Sequence, residues 1–375
     1  MKNQTIQTAK FTPGDTEIPL YIGSSCPEDF ARYITSFGVD RLAIVTDNTV
    51  IRNLPRLLDA LQRLIPTVLL TGEPGESMKT MEILDAHLNT AIEGGLTKQS
   101  AIVSFGGGVP GNLAGMLAAL LYRGLPLFHV PTNLAAATDS VLSLKQAVNS
   151  NWGKNQIGTY YAPTAILVDV DCFFTQGERE IRAGMCEALK NALAIDAEQL
   201  TYISKSGLPS EAVEFRSMLD GCIKAKSKVM LNDPNEQKEA LALEYGHTVG
   251  HGIEHCLRRE GRGQSLTHGE CVAIGMVSAA MISSKLGYLS VADVRLHEKL
   301  ISQIGAPTRL PSGILPDTVL KYVLKDNKRG IIDVDPNDIP MVLLRDIGVP
   351  VFTDDVPLVG VPLDLVRETL LEISA

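Results

Sequence analysis

Short β-branched runs, each stopped by turn residues and separated by helical stretches, dominate the first 130 residues of this chain. Arg41-Leu-Ala-Ile-Val-Thr46 ends at Asp47-Asn48, and Thr67-Val-Leu-Leu70 runs into Gly72-Glu-Pro-Gly75. Ala101-Ile-Val-Ser104 opens onto Gly106-Gly-Gly108, and Leu127-Phe-His-Val130 stops at Pro131. Between the second and third, Met78 to Glu93 reads as a helix ended by Gly94-Gly95. Strands of continuous apolar residues alternating with helices predict a parallel sheet covered on both faces. Such sheets bind ligands at the carboxyl ends of their strands.

The pattern changes near residue 180. Long helical stretches follow over 182–203, 210–231, 236–257 and 269–286, with Gly207-Leu-Pro209 between the first two. A chain of 375 residues is too long for one ordinary core. The expectation is two domains: residues 1–178 as a Rossmann-like α/β domain, and residues 179–375 as a mainly α-helical domain.

The formal net charge of −9 argues against a general nucleic-acid or acidic-membrane surface. The start, MKNQTIQTAK, lacks the apolar segment of a signal peptide, and the apolar stretch around Leu113 to Leu121 is too short for a membrane span. The six cysteines are scattered without a CxxC pair, so reduced, mostly buried thiols are expected, in a cytoplasmic protein.

Two segments carry chemistry. In Ser104-Phe-Gly-Gly-Gly-Val-Pro-Gly-Asn112 a strand gives way to glycines and then to a helix. Glycines let backbone approach a phosphate, and a helix N-terminus offers free N–H groups. The spacing is not GxGxxG, so a strict Rossmann fingerprint is absent. Gly246-His-Thr-Val-Gly-His251 places two histidines at i and i+4 on one helix face. Thr248 stands where a metalloprotease needs glutamate, which excludes that reading. His268 opens a later helical run, Glu187 and Lys190 share a helix face, and four of the seven histidines fall within 247–268. Two histidines and one carboxylate leave coordination positions open, as a catalytic zinc or cobalt site requires. His255 extends the histidine face but reads as structural.

These motifs, in order over most of the chain, resemble the sugar phosphate cyclases, the dehydroquinate synthase-like family. The matching segments are Gly75 to Lys79, Gly106 to Asn112, Arg123-Gly124, Asp139 to Asn149, Gly153-Lys-Asn155, Glu187 with Lys190, Gly246 to His251 and His268-Gly-Glu270. The resemblance implies an NAD-binding α/β domain, a helical metal- and substrate-binding domain, an active site between them and a homodimer. It implies Glu187, His247 and His268 as ligands of one divalent ion, Co2+ or Zn2+. It implies NAD contacts from Asp47, Glu76, Lys79, Gly107, Gly108, Thr132 and Asp139. Asp139, Lys145, Asn155 and Lys190 would grip substrate hydroxyls. Lys154, Asn155 and Lys328 would hold the phosphate end, with Arg123 reaching across the dimer. His251 would manage protons, with Lys145, Lys190 and Glu244 beside it in the catalytic set.

Dehydroquinate synthase binds a substrate carboxylate, and there an arginine stands where this chain has Ala240 and an asparagine where it has Glu244. Loss of the arginine removes a charge-assisted bond worth about 1.5–3 kcal/mol. Glu244 adds a like charge that repels a carboxylate at 4 Å by roughly 4 kcal/mol. Lys226, another family carboxylate contact, is retained and is free to pair with Glu244. The expected substrate is therefore a sugar phosphate without a carboxylate. Two branches qualify: one converts glucose 6-phosphate to 2-deoxy-scyllo-inosose, the other converts sedoheptulose 7-phosphate to an epi-valiolone. Asp139 to Asn149 and Leu243-Glu-Tyr-Gly-His247 resemble the first. A metal-dependent polyol dehydrogenase is the competing class.

Overall fold

The computed structural model describes residues 6–151, 153–259, 261–263 and 265–374. Half of the decapeptide that argued against a signal peptide, residues 1–5, lies outside them. Contacts group the chain into two compact units, Met1–Gly177 with Ser210–Arg216, and Glu178–Pro209 with Ser217–Ala375. The sequence placed one division, between 178 and 179. The extra return over Ser210–Arg216 rests on Phe215, whose ring packs 5.3 Å from Phe173 and 5.4 Å from Phe174.

In the first unit, an antiparallel pair, β1 (Gln7–Phe11) and β2 (Ile18–Gly23), leads into α1 (Pro27–Thr35). Then come β3 (Leu42–Asp47), α2 (Asn48–Asn53), α3 (Pro55–Leu64), β4 (Thr67–Gly72), α4 (Met81–Glu93), β5 (Ala101–Gly106), α5 (Gly108–Leu120) and β6 (Leu127–Pro131). A separate hairpin of β7 (Lys145–Val148) and β8 (Ile157–Tyr160) precedes β9 (Ala165–Asp169). The sheet order is β1-β2-β9-β6-β5-β3-β4, parallel from β2 onward. The central strands are apolar throughout because both faces are covered: Ile44, Val103 and Phe128 pack toward α1 and α3, while Val45, Ile102 and Leu127 face α4 and α5. The carboxyl ends of β3, β5 and β6 thus present Asp47, Gly106 and Pro131 along one edge. The helix read from Met78 begins only at Met81, where Thr80 caps it; Glu76–Met78 forms a separate 3-10 turn.

The second unit is built on α6 (Glu178–Ala194), α7 (Leu200–Ser206), α8 (Ala212–Met230), α9 (His247–Arg259), α10 (His268–Lys285), α11 (Val291–Gln303) and α12 (Pro316–Val323). Two expectations are corrected here. The helix read over 182–203 breaks after Ala194, where Asp196 takes an extended φ of −143° and pairs with Lys224 at 3.3 Å. The helix read over 236–257 begins only at His247. Asp233 draws the preceding segment out of helical register by accepting from the backbone N–H groups of Gln237, Lys238 and Ala240. Residues Glu239–Glu244 close as a 3-10 turn, and Gly246, at φ +77°, separates it from α9. Ala240 and Glu244 therefore lie on a separate turn, not on the helix of His247.

Close backbone crossings set the spacing of the second unit. A Cβ at Gly246 would meet the Val272 carbonyl oxygen at 2.8 Å, and one at Gly275 would meet the Gly246 carbonyl oxygen at 1.9 Å. A Cβ at Gly269 would meet the Ala183 carbonyl oxygen at 2.3 Å. The glycines thus seat α10 against the starts of α9 and of the buried half of α6. Among the described residues no helix is long and apolar enough to cross a membrane, and all six cysteines are buried and outside any disulfide.

Candidate active site

Within the first unit, several of the residues expected at the cofactor converge. Glu76 accepts from Asn149 Nδ2 at 2.7 Å and lies 3.5 Å from Lys154 Nζ. Lys79 donates to Asn155 Oδ1, while Asn155 N–H donates to Asn149 Oδ1 at 3.0 Å. Asn155 holds φ +57°, a left-handed conformation that asparagine tolerates. Burial pulls the Lys79 ammonium down to about 8, with Glu76 opposing the shift. Asn149, not singled out by the sequence, is the hub of this cluster, since its backbone N–H also donates to the Lys79 carbonyl at 2.9 Å.

The glycine turn is a close approach rather than a strained one. Gly107 has φ −80°, but a Cβ there would fall 2.3 Å from Asn133 Nδ2, and Asn133 is held by accepting from Ala136 N–H at 2.8 Å. Gly108 is the first residue of α5, so free N–H groups face that turn. Thr132 is buried beside it and donates its backbone N–H to Gly106 O at 2.9 Å. Asp47 has a role beyond the one expected at the cofactor. Its carboxylate caps α2, accepting from Thr49 and Val50 N–H groups at 2.8 and 3.0 Å. Asp139 lies half-buried in the wide turn Ala136–Ser140, and Lys145, also half-buried, opens β7. Arg123 is exposed at φ +70° on a tight turn after α5.

Within the second unit, α6, α9 and α10 bring their functional side chains together. Glu187 and Lys190 are both buried, with Oε2 and Nζ 2.7 Å apart. Glu187 Oε1 lies 3.4 Å from His268 Nε2. The rings of His247 and His251 are 5.1 Å apart, and His268 is 5.3 Å from His247 and 5.8 Å from His251. One ligand atom from each of His247, His251 and His268 falls within 4.8 Å of the others. The sequence confined the ligand set to Glu187, His247 and His268; the geometry adds His251 to the same cluster. His268 is placed by a capping box: Thr267 accepts from Glu270 N–H at 3.2 Å, and Glu270 accepts from Thr267 N–H at 2.8 Å.

The cluster has the donor atoms of a metal site. Burial, then Lys190, push the His247 imidazole down to about 3 against Glu244 and Glu187, which keeps it neutral. His247 Nδ1 donates to the Tyr245 carbonyl at 3.2 Å, leaving Nε2 for coordination. A neutral imidazole beside a buried carboxylate suits zinc or cobalt. Beside them lies a charged chain that the sequence did not assemble. Lys328, buried, pairs with Asp326 at 2.7 Å and with Glu244 at 3.4 Å, and Asp326 Oδ2 lies 3.7 Å from His251 Nδ1. Burial alone would raise the Asp326 carboxyl, but His251 and Lys328 outweigh it and hold it below the usual carboxylate range. Lys226 is likewise buried. His255 leaves the cluster and stacks on Tyr322, with ring centroids 5.8 Å apart.

Comparison with known proteins gives the family. Residues 69–183 match the 3-dehydroquinate synthase N-terminal model, and residues 184–329 match the C-terminal one. The chain belongs to the dehydroquinate synthase family, the sugar phosphate cyclases. Within it, curated relatives that match over nearly the whole chain include 2-deoxy-scyllo-inosose synthases. That of Streptomyces lividus is 39% identical over 97% of this chain and 95% of its own, and that of Streptoalloteichus tenebrarius is 37% identical over 98% and 96%. A solved 2-deoxy-scyllo-inosose synthase complexed with carbaglucose-6-phosphate, NAD+ and Co2+ superposes with a TM-score of 0.89 at 32% identity, covering 98% of this chain and 99% of that one.

Proposed function

We propose that this chain converts D-glucose 6-phosphate to 2-deoxy-scyllo-inosose and phosphate, as a phosphate-eliminating carbon–oxygen lyase. The observation that carries this reading is the turn Glu239–Glu244 beside the histidine cluster. It offers Glu244, held by Lys328 at 3.4 Å, and a fully buried Ala240, with no arginine for a substrate carboxylate. Such a site favours a neutral polyol and repels an acid sugar.

NAD and a divalent ion, when bound, supply a reversible hydride acceptor and a Lewis acid. Oxidation at C4, loss of phosphate from C6, reduction again at C4 and closure of a carbocycle between C6 and C1 would sum to a redox-neutral reaction. Glu187, His247 and His268, with His251 adjoining, would hold the ion. Asp47, Glu76, Lys79, Gly107, Gly108, Thr132 and Asp139 would hold NAD. Lys145, Lys190, Lys226 and Glu244 orient hydroxyls by charge-assisted hydrogen bonds. Lys154 and Asn155 are assigned to the phosphate end, where positive charge stabilises the leaving group. Lys328 fixes Glu244, and His251, backed by Asp326, moves protons. We further assign a homodimer, with Arg123 on its exposed turn reaching the partner. The six buried cysteines, none of them in a disulfide, support a cytoplasmic setting.

Purified protein with NAD and Co2+ or Zn2+ is to be given glucose 6-phosphate, sedoheptulose 7-phosphate and 3-deoxy-arabino-heptulosonate 7-phosphate in parallel. Phosphate release and 2-deoxy-scyllo-inosose from the first, without net NADH, is the expected result. Turnover of either other sugar alone, or accumulating NADH as in a polyol dehydrogenase, overturns it.

A further inference from the structure

Each imidazole of the histidine cluster meets an acceptor through Nδ1, and the acceptors differ. His247 uses the Tyr245 carbonyl at 3.2 Å, and His251 faces Asp326 at 3.7 Å. His268 Nδ1 lies 3.0 Å from Glu254 Oε2. Glu254 sits on α9 seven residues after His247 and three after His251, which places it on the ligand face of that helix. His268 is the most exposed of the three, its side chain 44% accessible, whereas the Glu254 side chain is only 20% accessible. The ring of His268 starts α10 and lacks the close packing that fixes His247. Its orientation needs a partner.

We propose that Glu254 is the positioning residue of the metal centre, an inference that rests on the metal reading above. An acceptor-only carboxylate at Nδ1 puts the ring proton there and leaves the Nε2 lone pair facing Glu187 Oε1, 3.4 Å away. The negative charge also makes the imidazole a stronger donor. Glu254 acts through His268. A structural alternative is its ion pair with Arg258 at 3.5 Å, and the two roles separate by mutation.

The test is Co2+ affinity of the full chain, measured by competition with a chromophoric chelator, together with the visible absorption spectrum of bound Co2+. Glu254→Ala is expected to weaken Co2+ binding about 10- to 100-fold, the loss typical of an outer-shell partner, and to change the spectrum. Glu254→Gln, whose amide oxygen still accepts from Nδ1, is expected to bind more tightly than Glu254→Ala. Arg258→Ala is expected to leave affinity unchanged. Equal Co2+ affinity in wild type and Glu254→Ala, or equal losses in Glu254→Ala and Arg258→Ala, overturns the assignment. His268→Ala separates the two readings. If wild type binds no Co2+, or His268→Ala binds as well as wild type, the metal reading itself fails.

Discussion

Replacing Lys328 by methionine removes the cation from between a buried carboxylate, Asp326, and a half-buried one, Glu244, while keeping the length of the side chain. At an effective dielectric of 20, the 2.7 Å contact with Asp326 and the 3.4 Å contact with Glu244 amount to roughly 6 and 5 kcal/mol of attraction. Most of that is offset by the desolvation of the three groups, and breaking a buried pair by removing one partner costs about 3–5 kcal/mol. Protonation sets a ceiling. Neutralising a carboxylate of ordinary pKa at pH 7 costs about 4 kcal/mol, and at pH 5 about 1.5 kcal/mol. In wild type, Asp326 is held below its unfolded value, so its contribution is present above that value and is lost only as pH falls through the folded pKa, outside this window. In the variant the Asp326 pKa is raised, so the deficit is full at pH 7 and shrinks as pH falls. Lys328→Met is therefore expected to lose about 3–4 kcal/mol at pH 7 and about 1.5 kcal/mol at pH 5. Asp326→Asn in the same chain should recover at least half of the loss at pH 7. Urea unfolding of chelator-treated protein, followed by far-ultraviolet circular dichroism, measures all three. A loss below about 1 kcal/mol, a loss independent of pH, or strict additivity in the double-mutant cycle would refute the reasoning.

Three further outcomes are expected. His247→Ala should abolish metal content and turnover while NAD affinity stays near that of wild type, checked by elemental analysis and NAD titration; lost NAD binding with metal retained counts against the ligand assignment. Gly107→Ala puts a methyl 2.3 Å from Asn133 Nδ2, and should weaken NAD binding by at least about tenfold, or about 1.4 kcal/mol, with Co2+ affinity unchanged. The six thiols, all buried, and with Cys26, Cys172 and Cys186 pushed well up by burial, should resist Ellman's reagent in the native protein and all react in urea.

The parts of the molecule legible in the sequence are those whose signal is local. Leu42–Asp47 and Ala101–Gly106 are apolar runs with a turn residue at the end, and nothing in their surroundings contradicts that pattern. His247 and His251 declare themselves by spacing. Glu239-Ala-Leu-Ala-Leu-Glu244 misleads because every residue in it favours helix, and the decisive partner, the Asp233 carboxylate, acts through three backbone N–H groups further along. Asp326 and Glu254 were invisible for another reason. Each gains its meaning from a histidine on another helix or turn, and sequence separation hides that contact. Asp47 carried a readable signal, an aspartate before Asn-Thr-Val at the start of a helix, which the expected role at the cofactor obscured.

The glycine crossings have a consequence for how such a protein diversifies. Backbone lies on backbone at Gly246, Gly269 and Gly275, so the distances among the histidines follow from main-chain contact and not from the sizes of neighbouring side chains. Ala240 and Glu244 ride on a turn outside that lattice of helices. On the proposed reading, sequence drift in the turn would alter which sugar is admitted while leaving the backbone crossings of the helices in place. Substrate choice would then evolve on a short turn laid against a framework fixed by main-chain contact, so that one scaffold can exchange its diet without being rebuilt.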